Sequence, residues 1–205
     1  MMPYESSKAR SNVALVTLGI ILASQVAGLV AGLSRLLLVQ WMRGGRAASQ
    51  EVAQASDAFV GCAGYFQLVA IAVCAIGFSL WFHRVYRNLP ALGATGLALS
   101  PGRAVGGFYI PLVNLFEPAE PSRWIKTWWL SFIVSNLLGN VAAVALGRAD
   151  GLGGLLWATL GILASDALAI LAAGSAMFLV RQVTSQQDTL HQHLQPQRAS
   201  QAQVQ

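Results

Sequence analysis

Four long runs of apolar residues decide what this sequence can fold into. They cover residues 13–33, 58–82, 128–146 and 155–180. A helix of about 20 residues crosses a hydrocarbon core about 30 Å thick, so each run is long enough to span a bilayer. The first three runs contain no charged residue, and the fourth contains only Asp166. With 10% charged and 55% hydrophobic residues, an ordinary soluble domain is excluded. We expect an all-α integral membrane protein, a four-helix bundle.

The distribution of positive charge predicts the orientation of the chain. Nine of the thirteen Lys and Arg residues lie in the N-terminal segment, in the connection between the second and third runs, or in the C-terminal tail. Cytoplasmic loops retain more of these residues, so we expect both termini in the cytoplasm, with residues 1–12 as the cytoplasmic N-terminal segment. We expect the protein in the inner or plasma membrane. A cleaved signal peptide is the alternative for the first run, but that run is longer than a typical signal segment and three further runs follow it.

A stripe of small residues runs along the first apolar segment. Ser24, Gly28 and Gly32 follow one another at four-residue spacing and so share one helix face. Helices in a bilayer associate through close packing of small residues, because lipid tails are as apolar as leucine. The stripe therefore predicts a helix contact, either inside the bundle or between two copies of the chain.

Each apolar run also carries a polar side chain near its middle. These side chains are Gln25, Gln67, Asn136 and Asp166. A carboxylate in hydrocarbon costs several kcal/mol, so we expect Asp166 to face the bundle interior, where the amides can donate hydrogen bonds to it. Two interpretations remain open: an Asp166 that only fixes the helix register, and a proton or cation site.

The third run places further small and polar residues beside Asn136. They are Ser131, Ser135, Gly139, Asn140 and Ala143. Residues three or four apart are neighbours on a helix surface. We expect this edge of the helix, including Asn136 and Asn140, to face other helices and not lipid.

The connection between the second and third runs contains an apolar and aromatic segment, residues 104–116, that is too short to cross a bilayer. Gly106, Gly107 and Pro111 are expected to interrupt a helix there. Non-helical backbone is tolerated near a membrane where protein or headgroups cover it, so we predict a re-entrant or interfacial segment. Beyond Arg181 we expect a cytoplasmic extension of the fourth helix, followed by disorder from Pro196 onward.

The same connection carries a pattern of spaced residues that continues from the end of the second run. The pattern consists of Trp81, Arg84, Asn88, Leu92, Gly93, Pro101, Ala104, Val105, Gly106, Phe108, Ile110, Pro111, Asn114, Leu115 and Pro118, with Asn136 in the third run. It resembles the bacterial membrane-protein family known as domain of unknown function 4328, over roughly residues 58–187. The resemblance implies a multi-span membrane protein without an assigned activity. It draws attention to Gly106, Phe108, Pro111, Asn114 and Pro118.

No residue pattern in the chain predicts catalysis, a cofactor, a metal site or nucleic-acid binding. We see no nucleophile with a suitable base, so no catalytic residue is assigned. The leading hypothesis is a non-enzymatic membrane component or scaffold that binds a second copy or another membrane protein within the lipid bilayer. The alternative is a small ion or proton channel or transporter that uses Asp166 with Asn136 and Asn140. A third is a lipid-modifying enzyme at the inner leaflet.

Overall fold

The computed structural model describes residues 4–97, 99–108 and 123–202. Within these ranges the chain is helical apart from short connections, and no strand occurs there. The helices are α1 (Lys8–Arg43), α2 (Gln50–Asn88), a 3₁₀ turn (Pro90–Leu92), α3 (Pro101–Phe108), α4 (Arg123–Gly147) and α5 (Gly151–Ala202). The expected all-α class is confirmed.

Four of these helices, α1, α2, α4 and α5, are long and apolar enough to cross a membrane. Large hydrophobic side chains remain exposed along all four, and only 17% of the most apolar window of α2 is buried within the protein. In water such a surface would associate or aggregate. A bilayer covers it without cost, and the chain is a multi-pass membrane protein, an all-α helical bundle.

Local signals in the sequence explain where α1 ends and α2 begins. Gly45 adopts a left-handed backbone with φ of +81°, which glycine reaches without a Cβ penalty. At the start of α2, the Ser49 side-chain oxygen accepts a hydrogen bond from the Val52 N–H at 3.3 Å. Ser49 thus satisfies one of the free N–H groups at the start of the helix.

Two expectations about helix interruption differ from the structure. α3 runs through Gly106 and Gly107, although both glycines weaken a helix. Pro101 favours its first turn, and the Ser100 carbonyl accepts the Ala104 N–H at 2.9 Å. α5 likewise continues through Pro196 to Ala202, where the sequence predicted disorder. The Gln, Arg and Ala residues around Pro196 are good helix formers, and they offset the hydrogen bond that the proline removes.

The chain divides into two compact units. Unit 1 consists of Met1–Thr17, Cys74–Pro121 and Met177–Gln205, and unit 2 consists of Leu18–Val73 and Ser122–Ala176. In unit 2, Arg35 of α1 forms an ion pair with Asp57 of α2 at 2.5 Å. The Arg35 side chain is almost fully buried, so this pair fixes the register of the two helices at that level.

Candidate functional site

Three of the four mid-depth polar residues come together inside unit 2. The Gln67 amide nitrogen donates one hydrogen bond to the Gln25 side-chain oxygen at 2.9 Å and another to the Asp166 Oδ1 at 3.0 Å. Gln25 and Asp166 are both buried. We call these three residues the midspan cluster. It links α1, α2 and α5 through one bridging amide.

One oxygen of this cluster is left without a donor. Asp166 Oδ2 is buried, and none of the described residues donates a hydrogen bond to it. A Cβ atom added to Gly28 would lie 2.6 Å from Asp166 Oδ2 and would overlap the Gln67 amide nitrogen. Position 28 therefore accepts only glycine if the cluster is to keep its geometry.

The remainder of the small-residue stripe also faces the interior of unit 2. A Cβ atom on Gly32 would come within 2.7 Å of the Leu163 side chain on α5. Ser24 is fully buried, and its hydroxyl donates to the Ile21 carbonyl at 2.7 Å. Of the two contacts that the sequence left open for this stripe, the structure places Ser24, Gly28 and Gly32 in the one inside the bundle.

α4 packs against α5 through its serine and glycine face. The Ser165 hydroxyl donates to the Ser135 carbonyl at 2.8 Å, and a Cβ atom on Gly139 would lie 2.7 Å from the same hydroxyl oxygen. Ala142, one turn farther, leaves no room for a Cβ atom on Gly161 of α5. Ser131 and Ser135 are buried. Ser131, Ser135 and Gly139, which belong to the edge of α4 expected to face other helices, therefore lie on its buried side.

The asparagines of α4 point the other way, which corrects the expectation that they face other helices. Asn136 and Asn140 are exposed, and their amides donate to the carbonyls of Phe132 and Asn136 on their own helix, both at 2.7 Å. Among the described residues, neither donates a hydrogen bond to Asp166. Each residue turns a helix by about 100°, so Asn136 is rotated away from the buried Ser135 beside it, and Asn140 is rotated farther still.

A second polar cluster in unit 1 joins the N-terminal segment to α2 and α5. The Asn88 amide donates to the Glu5 carbonyl at 2.8 Å and to the Gln187 side-chain oxygen at 3.5 Å. Gln187 donates in turn to the Val85 carbonyl at 2.9 Å. Arg84 forms an ion pair with Glu5. Asn88 and Gln187 are almost completely buried, so they hold the N-terminal segment against both helices.

Asp188 adds a second anchor for the same segment. It accepts hydrogen bonds from the Tyr4 hydroxyl at 2.6 Å and the Ser6 hydroxyl at 3.2 Å. Burial raises the pKa of the Tyr4 phenol above its ordinary value, and the hydrogen bond and negative charge of Asp188 raise it further. The Tyr4 ring stacks on His191 with centroids 4.0 Å apart. We call Tyr4, Glu5, Arg84, Asn88, Gln187 and Asp188 the terminal cluster.

A family model described as "Domain of unknown function (DUF4328)" matches residues 44–185, which is more than half of the chain. The chain belongs to the DUF4328 family. The expected family is therefore confirmed. No curated protein and no solved structure matches the chain. The DUF4328 match contains Gln67 and Asp166, whereas Gln25 and Gly28 of α1 lie outside it.

Three residues of the pattern that carried the resemblance to DUF4328 lie side by side in unit 1. Trp81 donates from its indole nitrogen to the Thr184 hydroxyl at 3.0 Å, and Arg84 and Asn88 belong to the terminal cluster. Sequence reasoning missed these contacts. Their spacing of three and four residues was a usable signal, because it places all three on one face of α2.

The remaining pattern residues occupy the connection after α2. Gly106 and Phe108 belong to α3, which makes residues 104–108 of the expected re-entrant or interfacial segment helical. Pro111, Asn114 and Pro118 lie outside the described residues, as does the rest of that segment.

The chemistry available to the midspan cluster is limited by its composition. Asp166 is its one ionisable group, so the cluster can bind a proton or a cation, and none of its three members carries a hydroxyl or thiol group. Among the described residues, no group of three or more His, Cys, Asp or Glu side chains is arranged to hold a metal ion.

Proposed function

We propose that this protein is a non-enzymatic component of a bacterial plasma membrane that self-associates through the exposed face of α4. Both termini lie in the cytoplasm, consistent with the excess of Lys and Arg on that side of the sequence. The partner is a second copy of the chain, and the contact is centred on Asn136 and Asn140.

The exposure of the two asparagines at mid-depth of a membrane helix carries this proposal. Asn136 lies close to the centre of the apolar run 128–146, and it shares one helix face with Leu137, Asn140, Val141 and Val144, all of them exposed. A primary amide has two N–H donors and an acceptor oxygen. One donor of each asparagine bonds to its own helix, and the remaining capacity is directed outward.

The amides of a second copy can satisfy the remaining hydrogen-bonding capacity of Asn136 and Asn140. An amide both donates and accepts, so two identical faces related by a two-fold axis are complementary to each other. Interhelical hydrogen bonds of this kind hold membrane helices together. The small-residue stripe of α1 does not offer a competing contact, because α2 and α5 already occupy it.

Fluorescence energy transfer between labelled copies in liposomes, measured as the protein-to-lipid ratio is lowered, tests this proposal. Each asparagine is expected to contribute about 0.6 to 2 kcal/mol, so N136A and N140A should each weaken association by roughly 3-fold to 30-fold. The matched control is V26A with V30A, a pair with the same spacing on an exposed face of α1. Association that is equally strong in the asparagine variants would overturn the proposal.

The midspan cluster favours a second candidate, a proton or cation conduit through Asp166. The supporting observation is the buried Oδ2 atom without a donor, which can carry a proton or contribute to a cation site. This activity predicts flux of protons or monovalent cations into liposomes that contain the protein. D166N should abolish that flux, whereas D150N in the exposed turn before α5 should not. Liposomes with the wild-type protein that show no flux would contradict it.

A further inference from the structure

A groove of about 490 Å³ lies in unit 1 along the last part of the apolar run of α2. Its walls are Ala75, Ile76, Leu80 and His83 of α2 with Gly102 and Val105 of α3. From Ala75 to His83 the helix rises by about 12 Å. This is long enough to hold a substantial part of one acyl chain.

The chemistry of the groove changes along its length. Ala75, Ile76 and Leu80 form an aliphatic wall, and the neighbouring Ser79 turns its hydroxyl to the Ala75 carbonyl at 2.6 Å. This part of the groove therefore suits a hydrocarbon. His83 closes the other end, and it is the first residue after the apolar run 58–82, at the depth where headgroups begin.

Three arginines are close neighbours of the wall residues, either in space or along their helices. The Arg10 guanidinium of α1 donates to the carbonyl of Leu80, a wall residue, at 3.2 Å. This uses one of its five N–H donors. Arg103 follows Gly102 in α3 and is exposed. Arg87 lies one helical turn beyond His83. An aliphatic groove whose wall residues have arginines as neighbours on α1, α2 and α3 matches an amphipathic molecule with an anionic head.

We propose that this groove binds an anionic phospholipid, with one acyl chain along α2 and the phosphate between Arg10 and Arg103. The surrounding bilayer supplies such molecules at the depth of the groove. Arginine is well suited to the head because its planar fork of donors fits a phosphate with two parallel hydrogen bonds. The site is independent of the α4 face and of the midspan cluster.

Native mass spectrometry of the full chain in detergent, incubated with phosphatidylglycerol or with phosphatidylcholine, tests the proposal. The wild-type protein should retain phosphatidylglycerol in preference to phosphatidylcholine. A basic side chain near an anionic headgroup contributes about 1 kcal/mol, so R10Q and R103Q should each weaken phosphatidylglycerol binding about fivefold. Neither should change the retention of phosphatidylcholine. R43Q, in the last turn of α1, is the matched control and should bind as the wild type does.

A second pair of variants tests the apolar part of the site. A Cβ atom on Gly102 meets nothing within 4 Å, so G102L leaves α3 unstrained and fills the groove, as V105F does from the next turn. Both should lower the retention of either lipid. Equal retention of the two lipids by the wild type, unchanged retention in both filled variants, or full displacement of the lipid by glycerol phosphate would each overturn the proposal.

Discussion

The midspan cluster and the terminal cluster solve the same problem, burying polar side chains between helices, with different chemistry. The midspan cluster uses amide donors and a single carboxyl, Asp166, with no cation among its three members. The terminal cluster pairs Arg84 with Glu5. Around Asp188 lie the Tyr4 phenol, the Ser6 hydroxyl and the Lys8 ammonium, the last at 3.6 Å. Depth explains the difference. In hydrocarbon every charge is costly, whereas near the helix ends water and headgroups solvate ions before and after they pair.

The two clusters also differ in what they connect. In the midspan cluster, Gln67 bridges two regular helices, and its geometry depends on the close approach that Gly28 permits. The terminal cluster instead fixes the segment that precedes α1, residues 4–7, to α2 and α5. We therefore expect the midspan cluster to be sensitive to added volume, and the terminal cluster to be sensitive to lost hydrogen bonds and to pH.

The largest expected effect is that of added volume in the midspan cluster. G28A inserts a methyl group that overlaps the Gln67 amide and approaches Asp166 Oδ2. Overpacking of this kind costs about 1 to 3 kcal/mol, and separation of the hydrogen-bonded groups adds to it. G19A is the matched control on the same helix, because a Cβ atom there meets nothing within 4 Å. Unfolding in mixed detergent micelles should show G28A less stable by about 3 kcal/mol and G19A at least as stable as the wild type.

Equal stability of G28A and G19A would show that the packing around Gly28 is loose. Sensitivity to added side-chain volume would then no longer distinguish the midspan cluster from the terminal cluster.

An intermediate effect is expected from a lost hydrogen bond in the terminal cluster. Gln187 is buried and donates to the Val85 carbonyl, whereas the adjacent Gln186 is exposed. Q187A removes the Gln187 donor from that carbonyl and one of the two acceptors of the Asn88 amide, at a cost of about 1 to 2 kcal/mol. Q186A removes a side chain of the same type at the same depth and should change the stability by less than about 0.5 kcal/mol. The same micellar unfolding assay compares the two variants. Identical unfolding midpoints would show that the Gln187 hydrogen bonds do not stabilise the terminal cluster.

The midspan cluster was largely predictable from sequence and the terminal cluster was not. Run length and the cost of a buried carboxylate place Gln25, Gln67 and Asp166 at one depth and turn Asp166 inward. They do not fix the rotation of each helix about its own axis. For this reason Asn136 was expected beside Asp166, whereas it lies on the exposed face of α4. The terminal cluster joins residues 79 to 184 positions apart in sequence. Local patterns carry no information about such contacts, although the spacing of Trp81, Arg84 and Asn88 indicated the face of α2 that makes them.

The smallest expected effect is a loss of stability at alkaline pH that comes from Tyr4 in the terminal cluster. The pKa of Tyr4 is raised in the folded protein, so folding favours the neutral phenol. The stability that this provides is complete below about pH 10, the ordinary value for tyrosine, and is lost as the pH rises from there through the higher folded value. Y4F removes the hydroxyl and its bond to Asp188, and should lower the stability at neutral pH by less than about 1 kcal/mol.

Unfolding midpoints between about pH 8 and about pH 11 separate this effect from general alkaline damage. The wild type should lose stability over the upper part of that range more steeply than Y4F does, while Y65F, altered at an exposed tyrosine of α2, should follow the wild type. If Y4F and the wild type lose stability in parallel, the hydrogen bond to Asp188 does not hold the Tyr4 proton. Tyr4 would then contribute to the terminal cluster only through its stacking on His191, while Asn88, Arg84 and the Ser6 hydroxyl would still hold the N-terminal segment.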